Sequence, residues 1–275
     1  MLNVSEMTDR QRRELEYHRE HAASFREMLE RKFDYDVITN PDRRWWNAHW
    51  ESFTYLMNHG LAGKRVLVVG CGFGEDALFL AKAKAQVSAF DLSPESIEIA
   101  SALSEREGFS IEFAQMAAEK LEYPDAFFDY VYARDILHHV DIPNAMLEIQ
   151  RTMKPDAIFC FNEIYTHSIT DTVRNSKFID GWLYPKMTRF IYGSERPYIT
   201  EDERKLTEKD VTECLHVLQE PELKKYFSCI VARVLPDRWV WLRKIDRLLL
   251  IILGPLGSWF GGRVLIAGKI KAGAK

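Results

Sequence analysis

The chain is short of cysteine: four in 275 residues, at Cys71, Cys160, Cys214 and Cys229, with no CxxC pair. That spacing excludes a disulfide framework and a structural zinc knot, and points to a reduced, cytoplasmic protein without a metal site. A basic excess is also lacking. The 37 Lys and Arg against 41 Asp and Glu leave a net charge of −4. No global field draws such a chain to nucleic acid, and no nucleic-acid partner is expected. No apolar run reaches the roughly 20 residues that a spanning helix needs. The most apolar stretch, "LLLIILGPLGSWF" from Leu248 to Phe260, is interrupted by Gly254 and Pro255. Its length reads as a buried helix; the other reading is a surface that touches a membrane or an apolar substrate, without stable insertion. Charge begins at Glu6 and no apolar h-region is present, so no signal peptide is expected. Repeats, low-complexity tracts and long Gly/Ser linkers are absent as well. One large domain, or a domain with a cap, is what remains.

What is present is an alternation. Residues from about Thr8 to Lys32 carry apolar side chains at helical spacing. The aromatic-dense "PDRRWWNAHWESFTYLMNHG" follows, from Pro41 to Gly60. There Trp46, Trp50 and Phe53 fit one helical face, either packing a cap onto the main domain or walling a substrate pocket. From Lys64 strands and helices take turns. Strands are predicted over Arg65–Val69, Val87–Phe90, Ser110–Ala114, Phe127–Ala133 and Ala157–Tyr165. Helices are predicted over Glu75–Lys84, from the Ser93 cap and Pro94 to Gly108, and over Pro143–Thr152. This rhythm predicts an α/β fold with a doubly wound parallel sheet. Later come a helix over Glu208–Leu218, a sixth strand over Tyr226–Val234, an apolar helix over Asp237–Leu253 and a seventh strand over Gly262–Ile270. The expected architecture is a Rossmann-like seven-stranded sheet, six strands parallel and one antiparallel. The expected segments are a helical cap (1–62), a cofactor-binding core (63–165), a lid insertion after strand five (166–225) and closing strands with the apolar helix (226–275).

The first strand runs into Gly70-Cys71-Gly72-Phe73-Gly74. The dinucleotide fingerprint GxGxxG would need its third glycine where Glu75 stands. An acid at the start of a helix disfavours a pyrophosphate there, so a cofactor without phosphates fits better. Asp91 falls at the end of the second strand, about 20 residues past the first glycine, the place of a carboxylate that accepts from ribose hydroxyls. Its two oxygens match a vicinal diol.

With "AAEKL", "FFDYVYARDILHHV" and "LEIQRTMKPDAIFCFNE" in this order, the stretch from Lys64 to Tyr165 resembles the class I S-adenosylmethionine-dependent methyltransferases. The likeness is greatest to the small-molecule group related to ubiquinone-biosynthesis enzymes. The resemblance implies S-adenosylmethionine as cofactor. It also implies that Gly70 and Gly72 flank its methionine part, that Cys71 and Gly74 are cofactor-binding with them, that Asp91 holds the ribose and that Leu92 packs on the adenine. Ala117, Ala118 and Glu119 would line the adenine edge, and Arg134 would lie near the sulfonium. One departure stands out: the group often carries an acid where this chain has Val68. Glu75 or Asp76 is the replacement considered.

The implied chemistry is methyl transfer to a small organic acceptor, oxygen before sulfur or nitrogen, and carbon last. A hydroxyl acceptor needs a base. Candidates at the strand tips are His138, His139 and Glu163. For the acceptor, which is expected to be acidic or partly apolar, Tyr165, Arg174, Trp182, Tyr192 and Trp46 are the candidate contacts. Three rival readings remain: a cofactor-binding regulator without turnover, a nicotinamide dehydrogenase, and an enzyme at a membrane interface acting on lipids or quinones. The oligomeric state is left open.

Overall fold

The computed structural model describes residues 7–13, 15–16, 19, 29–30, 32–36, 48–183, 204–228 and 241–271. Helix α1 (Ala48–Asn58) precedes the sheet. Then come β1 (Arg65–Val69), α2 (Glu75–Lys82), β2 (Gln86–Asp91), α3 (Pro94–Glu107), β3 (Glu112–Gln115), β4 (Phe128–Arg134), α4 (Ile142–Thr152) and β5 (Met153–Ile164). The C-terminal part holds α5 (Ser168–Arg174), α6 (Glu208–Leu215), β6 (Leu223–Phe227), α7 (Leu242–Leu253), the short α8 (Gly257–Phe260) and β7 (Arg263–Lys269).

The strand order is β3-β2-β1-β4-β5-β7-β6. The first five strands are mutually parallel, and β7 runs antiparallel to both of its neighbours. Six strands therefore point one way and one the other, as expected. The order reverses between β1 and β4, which opens a crevice at their C-terminal ends.

The central strands are apolar on both faces because both faces are covered. Leu67, Val69, Val131 and Phe159 pack with Ile149 of α4 and Val211 of α6. On the opposite face Val66, Val68 and Tyr132 pack with Phe53 and Leu56 of α1 and Phe79 of α2. The Phe53 ring lies 5.4 Å from both Phe79 and Tyr132. Phe53 thus belongs to the packing of α1 on the sheet, and Trp50 is buried; Trp46 lies outside the described residues.

Helix ends follow the local signals. Ser93 Oγ accepts from the Ser96 amide at 3.1 Å, Pro94 opens α3, and Gly108 closes it at φ 74°. Asp141 caps α4 by accepting from the Asn144 amide at 3.2 Å.

Three expectations need correction. Strand β5 starts at Met153 rather than Ala157; it runs through Pro155 and Asp156, the latter at φ 61°, where the pairing with β4 shifts register. The sixth strand is Leu223–Phe227, earlier than the apolar run suggested, and residues 229–240 lie outside the described ones. As the edge of the sheet β6 tolerates the exposed Lys224 and Lys225, which also blunt that edge. Finally, the apolar stretch beginning at Leu248 is not buried: Leu248, Ile251 and Ile252 all face solvent.

Candidate active site

A cavity of about 300 Å³ opens at the C-terminal ends of β1, β2 and β4. The loop after β1 forms its floor. Gly70 takes φ 62°, and a Cβ there would fall 2.4 Å from Cγ1 of Ile136. Only glycine lets this loop press against the turn after β4. Gly72 also lies in the left-handed region, and a Cβ on it would meet nothing. Its amide donates to Asp91 Oδ2 at 2.8 Å. Gly74 does not line the cavity; a Cβ there would come within 2.9 Å of the Ala100 Cβ on α3. This corrects its assignment to the cofactor: Gly74 is a packing glycine. The close helix approach that Glu75 seemed to forbid is made one residue earlier.

Asp91 ends β2 and lines the cavity. Its Oδ1 accepts from the Ser93 amide at 2.9 Å while Oδ2 accepts from Gly72. Each oxygen keeps a further lone pair. Leu92, Ala117, Ala118 and Glu119 also line the cavity. Glu119 ties three segments together. Its Oε1 accepts from the Asp141 amide at 2.9 Å, and its Oε2 from the Gln11 side chain at 3.2 Å. Gln11, in the helical turn over residues 9–13, lines the cavity too, and Arg10 beside it donates to the His138 carbonyl.

Arg134 ends β4 and points its Nε at Asp76 Oδ2, 2.7 Å away. The other Asp76 oxygen meets His49 Nε2 at 2.8 Å. Burial disfavours the charged Asp76 carboxylate, but Arg134 and His49 outweigh it and hold its pKa at about 2. Asp76 in turn pushes the Arg134 guanidinium above its ordinary range. The cavity lining thus carries five carboxylates (Glu75, Asp76, Asp91, Glu119 and Asp135) against the single guanidinium of Arg134, among the described residues. Val68, where an acid was expected, is buried in the core. Glu75 and Asp76 flank the cavity instead. Cys71 lines it as well, and burial pushes its thiol well up, so it is no nucleophile.

Only one of the three candidate bases reaches the cavity. Glu163 is 0% exposed. Its Oε1 accepts from the Ile136 and Leu137 amides, each at 2.8 Å, and its Oε2 meets His138 Nδ1 at 2.8 Å. Glu163 and His138 therefore sit behind the turn after β4 and shape it. This corrects their reading as groups facing an acceptor. His139 lines the cavity, its ring 4.0 Å from that of His138.

The acceptor candidates scatter. Tyr165 is wholly buried and packs on Tyr226 at 5.2 Å, so it belongs to the core. Trp182 is exposed and stacks on Phe178 at 5.2 Å. Arg174 ends α5, but its side chain, like all of Tyr192 and Trp46, lies outside the described residues. Sequence reasoning missed His49, Gln11 and Asp135. Asp135 adopts φ 55° beside the cavity and accepts from Arg263 Nη2 at 3.0 Å. No local pattern marks any of the three.

Comparison with known proteins places this geometry. The family described as "Methyltransferase domain" matches residues 67–161. The ubiquinone biosynthesis O-methyltransferase of Idiomarina loihiensis is 30% identical over 178 residues, covering 58% of this chain and 73% of that protein. The chain belongs to the class I S-adenosylmethionine-dependent methyltransferases. The enzyme of the same name from Actinobacillus pleuropneumoniae is 32% identical over 112 residues, covering 38% of this chain and 48% of that protein. The chain thus spans about half the length of the first curated relatives it matches. The crystal structure of the YcgJ protein of Bacillus subtilis superimposes with a TM-score of 0.53 at 20% identity, covering 82% of this chain and 99% of that one. At that identity the likeness concerns the methyltransferase fold.

The cavity fits the cofactor that gives this family its name. Gly70 and Gly72 line the cavity, Gly70 pressed against Ile136 and Gly72 with open space where a Cβ would stand. Asp91 offers two acceptors for a diol. The acidic lining suits a ligand with an ammonium and a sulfonium, and repels a pyrophosphate.

Proposed function

We propose that this chain transfers the methyl group of S-adenosylmethionine to a small organic acceptor, with a hydroxyl oxygen first in rank, sulfur or nitrogen next and carbon last. One observation carries the reading: five carboxylates and a glycine loop line a crevice at the sheet's switch point, with Asp91 at the end of β2 accepting from the Gly72 amide. The cofactor supplies an electrophilic methyl on a cationic sulfur; the protein supplies position and field.

In this reading Asp91 accepts from the ribose hydroxyls, with its carboxylate already oriented by the amides of Gly72 and Ser93. Leu92, Ala117 and Ala118 give the adenine an apolar slot. Glu75, set near the Arg134–Asp76 pair, adds negative charge at the cationic end; its carboxylate lies 3.6 Å from Arg134. His139 is the ring nitrogen base at the cavity and takes the proton of a hydroxyl acceptor. Glu163 and His138 are positioning residues that hold the turn from Ile136 to His139. A lid after β5 contributes the acceptor side, with Arg174, Trp182 and Tyr192 as its candidate contacts; within the span 166–225 first expected to form it, α6 packs in the core and β6 starts at Leu223 in the sheet.

Calorimetric titration with S-adenosylhomocysteine, with NAD in parallel, tests the cofactor. Micromolar binding of the first alone is expected; tight NAD binding would overturn the reading. A screen of hydroxyl, thiol and amine acceptors for methylated product then separates an enzyme from a protein that binds and never turns over.

A further inference from the structure

Helix α7 is turned the wrong way for a core helix. Among its described side chains the one nearest full burial is Asp246, 3% exposed, while Leu248, Ile251 and Ile252 are 56%, 65% and 70% exposed. Trp241, Ile245, Leu248 and Ile252 follow the spacing of a single helical face, with Ile251 beside them. Trp241 stands exposed at the start of the segment and Trp259 at its end. Lys244 and Arg247 are exposed on the same helix. Asp246 is the only acid in the sequence between Leu242 and Phe260, and it is buried.

A second apolar segment adjoins it. Helix α8 contacts α5, and Trp259 stacks on His167 at 4.9 Å. Ile169, Val173, Phe178 and Trp182 are all exposed in or just after α5. The location is also informative. Helix α8 leads into β7, whose first residue, Arg263, pairs with Ile164 at the C-terminal end of β5. Arg263 in turn holds Asp135 of the cavity wall. Helix α8 and the cavity thus lie at the same end of the sheet, the C-terminal end of its parallel strands.

We infer that α7 and α8 form a docking surface for an anionic lipid bilayer. Twelve helical residues span about 18 Å, well short of a hydrocarbon core of about 30 Å, so α7 cannot cross. An amphipathic helix with an outward apolar face, interfacial tryptophans and cationic flanks lies in the plane of the headgroups instead. The exposed Lys244 and Arg247 beside this apolar face complement anionic headgroups and select them over a zwitterionic surface. A second copy of this chain would be covered equally well by the isoleucines, but the cations would then face each other across the contact. The docked orientation brings the end of the sheet that carries the cavity toward the membrane, where an apolar acceptor would be concentrated. The surface is read by lipid binding and stands or falls apart from methyl transfer.

The test is co-sedimentation of the full chain with vesicles of phosphatidylcholine alone and of phosphatidylcholine with phosphatidylglycerol, at low and high salt. Binding to the anionic vesicles, weakened by salt, is expected. The double substitution Ile251→Glu and Ile252→Glu should weaken it by about 100-fold or more, since each buried isoleucine is worth about tenfold or more. Lys244→Gln with Arg247→Gln should lose the preference for anionic lipid and keep the fold by circular dichroism. This second pair decides the matter if the glutamates prevent folding. No binding to either vesicle, or equal binding to both, overturns the inference. So does a stable dimer in sedimentation velocity that the glutamates dissolve while wild-type protein ignores lipid.

Discussion

The amide of Gly72 donates to Asp91 Oδ2 at 2.8 Å, so the tip of β2 holds the glycine loop that follows β1. One carboxylate therefore shapes the floor of the cavity and presents acceptors to it. Asp91→Ala should weaken S-adenosylhomocysteine by about 1.5–3 kcal/mol, the loss of hydrogen bonds to a charged partner. Calorimetry reads this directly. An unchanged dissociation constant would show that Asp91 holds only the loop.

Gly70→Ala should fail twice. The new methyl meets Ile136 at 2.4 Å, and φ 62° disfavours any L side chain. The two effects together should cost about 1–3 kcal/mol of stability and shift the turn that carries His139. Urea unfolding and cofactor titration of the same variant check both. A variant with wild-type stability would mean that the loop is looser than its contacts indicate.

Asp76 should give the protein an acid-sensitive margin. Its folded pKa of about 2 lies below the ordinary 3.8. A lowered carboxylate pKa stabilises above the unfolded value and is lost as pH falls through the folded one. The contribution is about 2 kcal/mol at neutral pH, and about half of it is gone by pH 3. The stability gap between wild type and Asp76→Asn should therefore be flat above about pH 5 and narrow toward pH 3. Denaturant unfolding at several pH values measures it; a gap that does not change with pH would assign Asp76 no such role.

Glu163 and His139 should separate structure from chemistry. Glu163→Ala strands two amides and a ring nitrogen in the interior, at about 3 kcal/mol or more of stability. His139→Gln should leave stability within about 0.5 kcal/mol. With a hydroxyl acceptor it should lower turnover by about 100-fold or more and remove a limb of the pH–rate profile. The reverse pattern, a stable Glu163→Ala and a fully active His139→Gln, would exchange their assignments.

Much of this molecule was readable before any coordinates. The glycine loop, the Asp91 strand tip, the Ser93 cap and the Gly108 stop are local devices, each set by the backbone needs of a few neighbouring residues. The strand–helix alternation followed from apolar periodicity, and the doubly wound sheet from the alternation. The edge strand was misplaced because an edge has no need of apolar residues, and Lys224 and Lys225 hid it.

Tertiary structure decided the rest, because the deciding partners are far apart in the chain. His49 finds Asp76 across 27 residues, and Arg134 finds the same carboxylate across 58. Glu163 and His138 looked like acceptor-facing bases by position; only the folded sheet shows both behind the cavity wall, with His139 left at its surface. The orientation of α7 belongs here too. Its periodicity defines an apolar stripe, but a stripe does not say whether protein or solvent faces it. That depends on which neighbours cover the helix, and in this fold they cover Asp246 and leave the isoleucines outside.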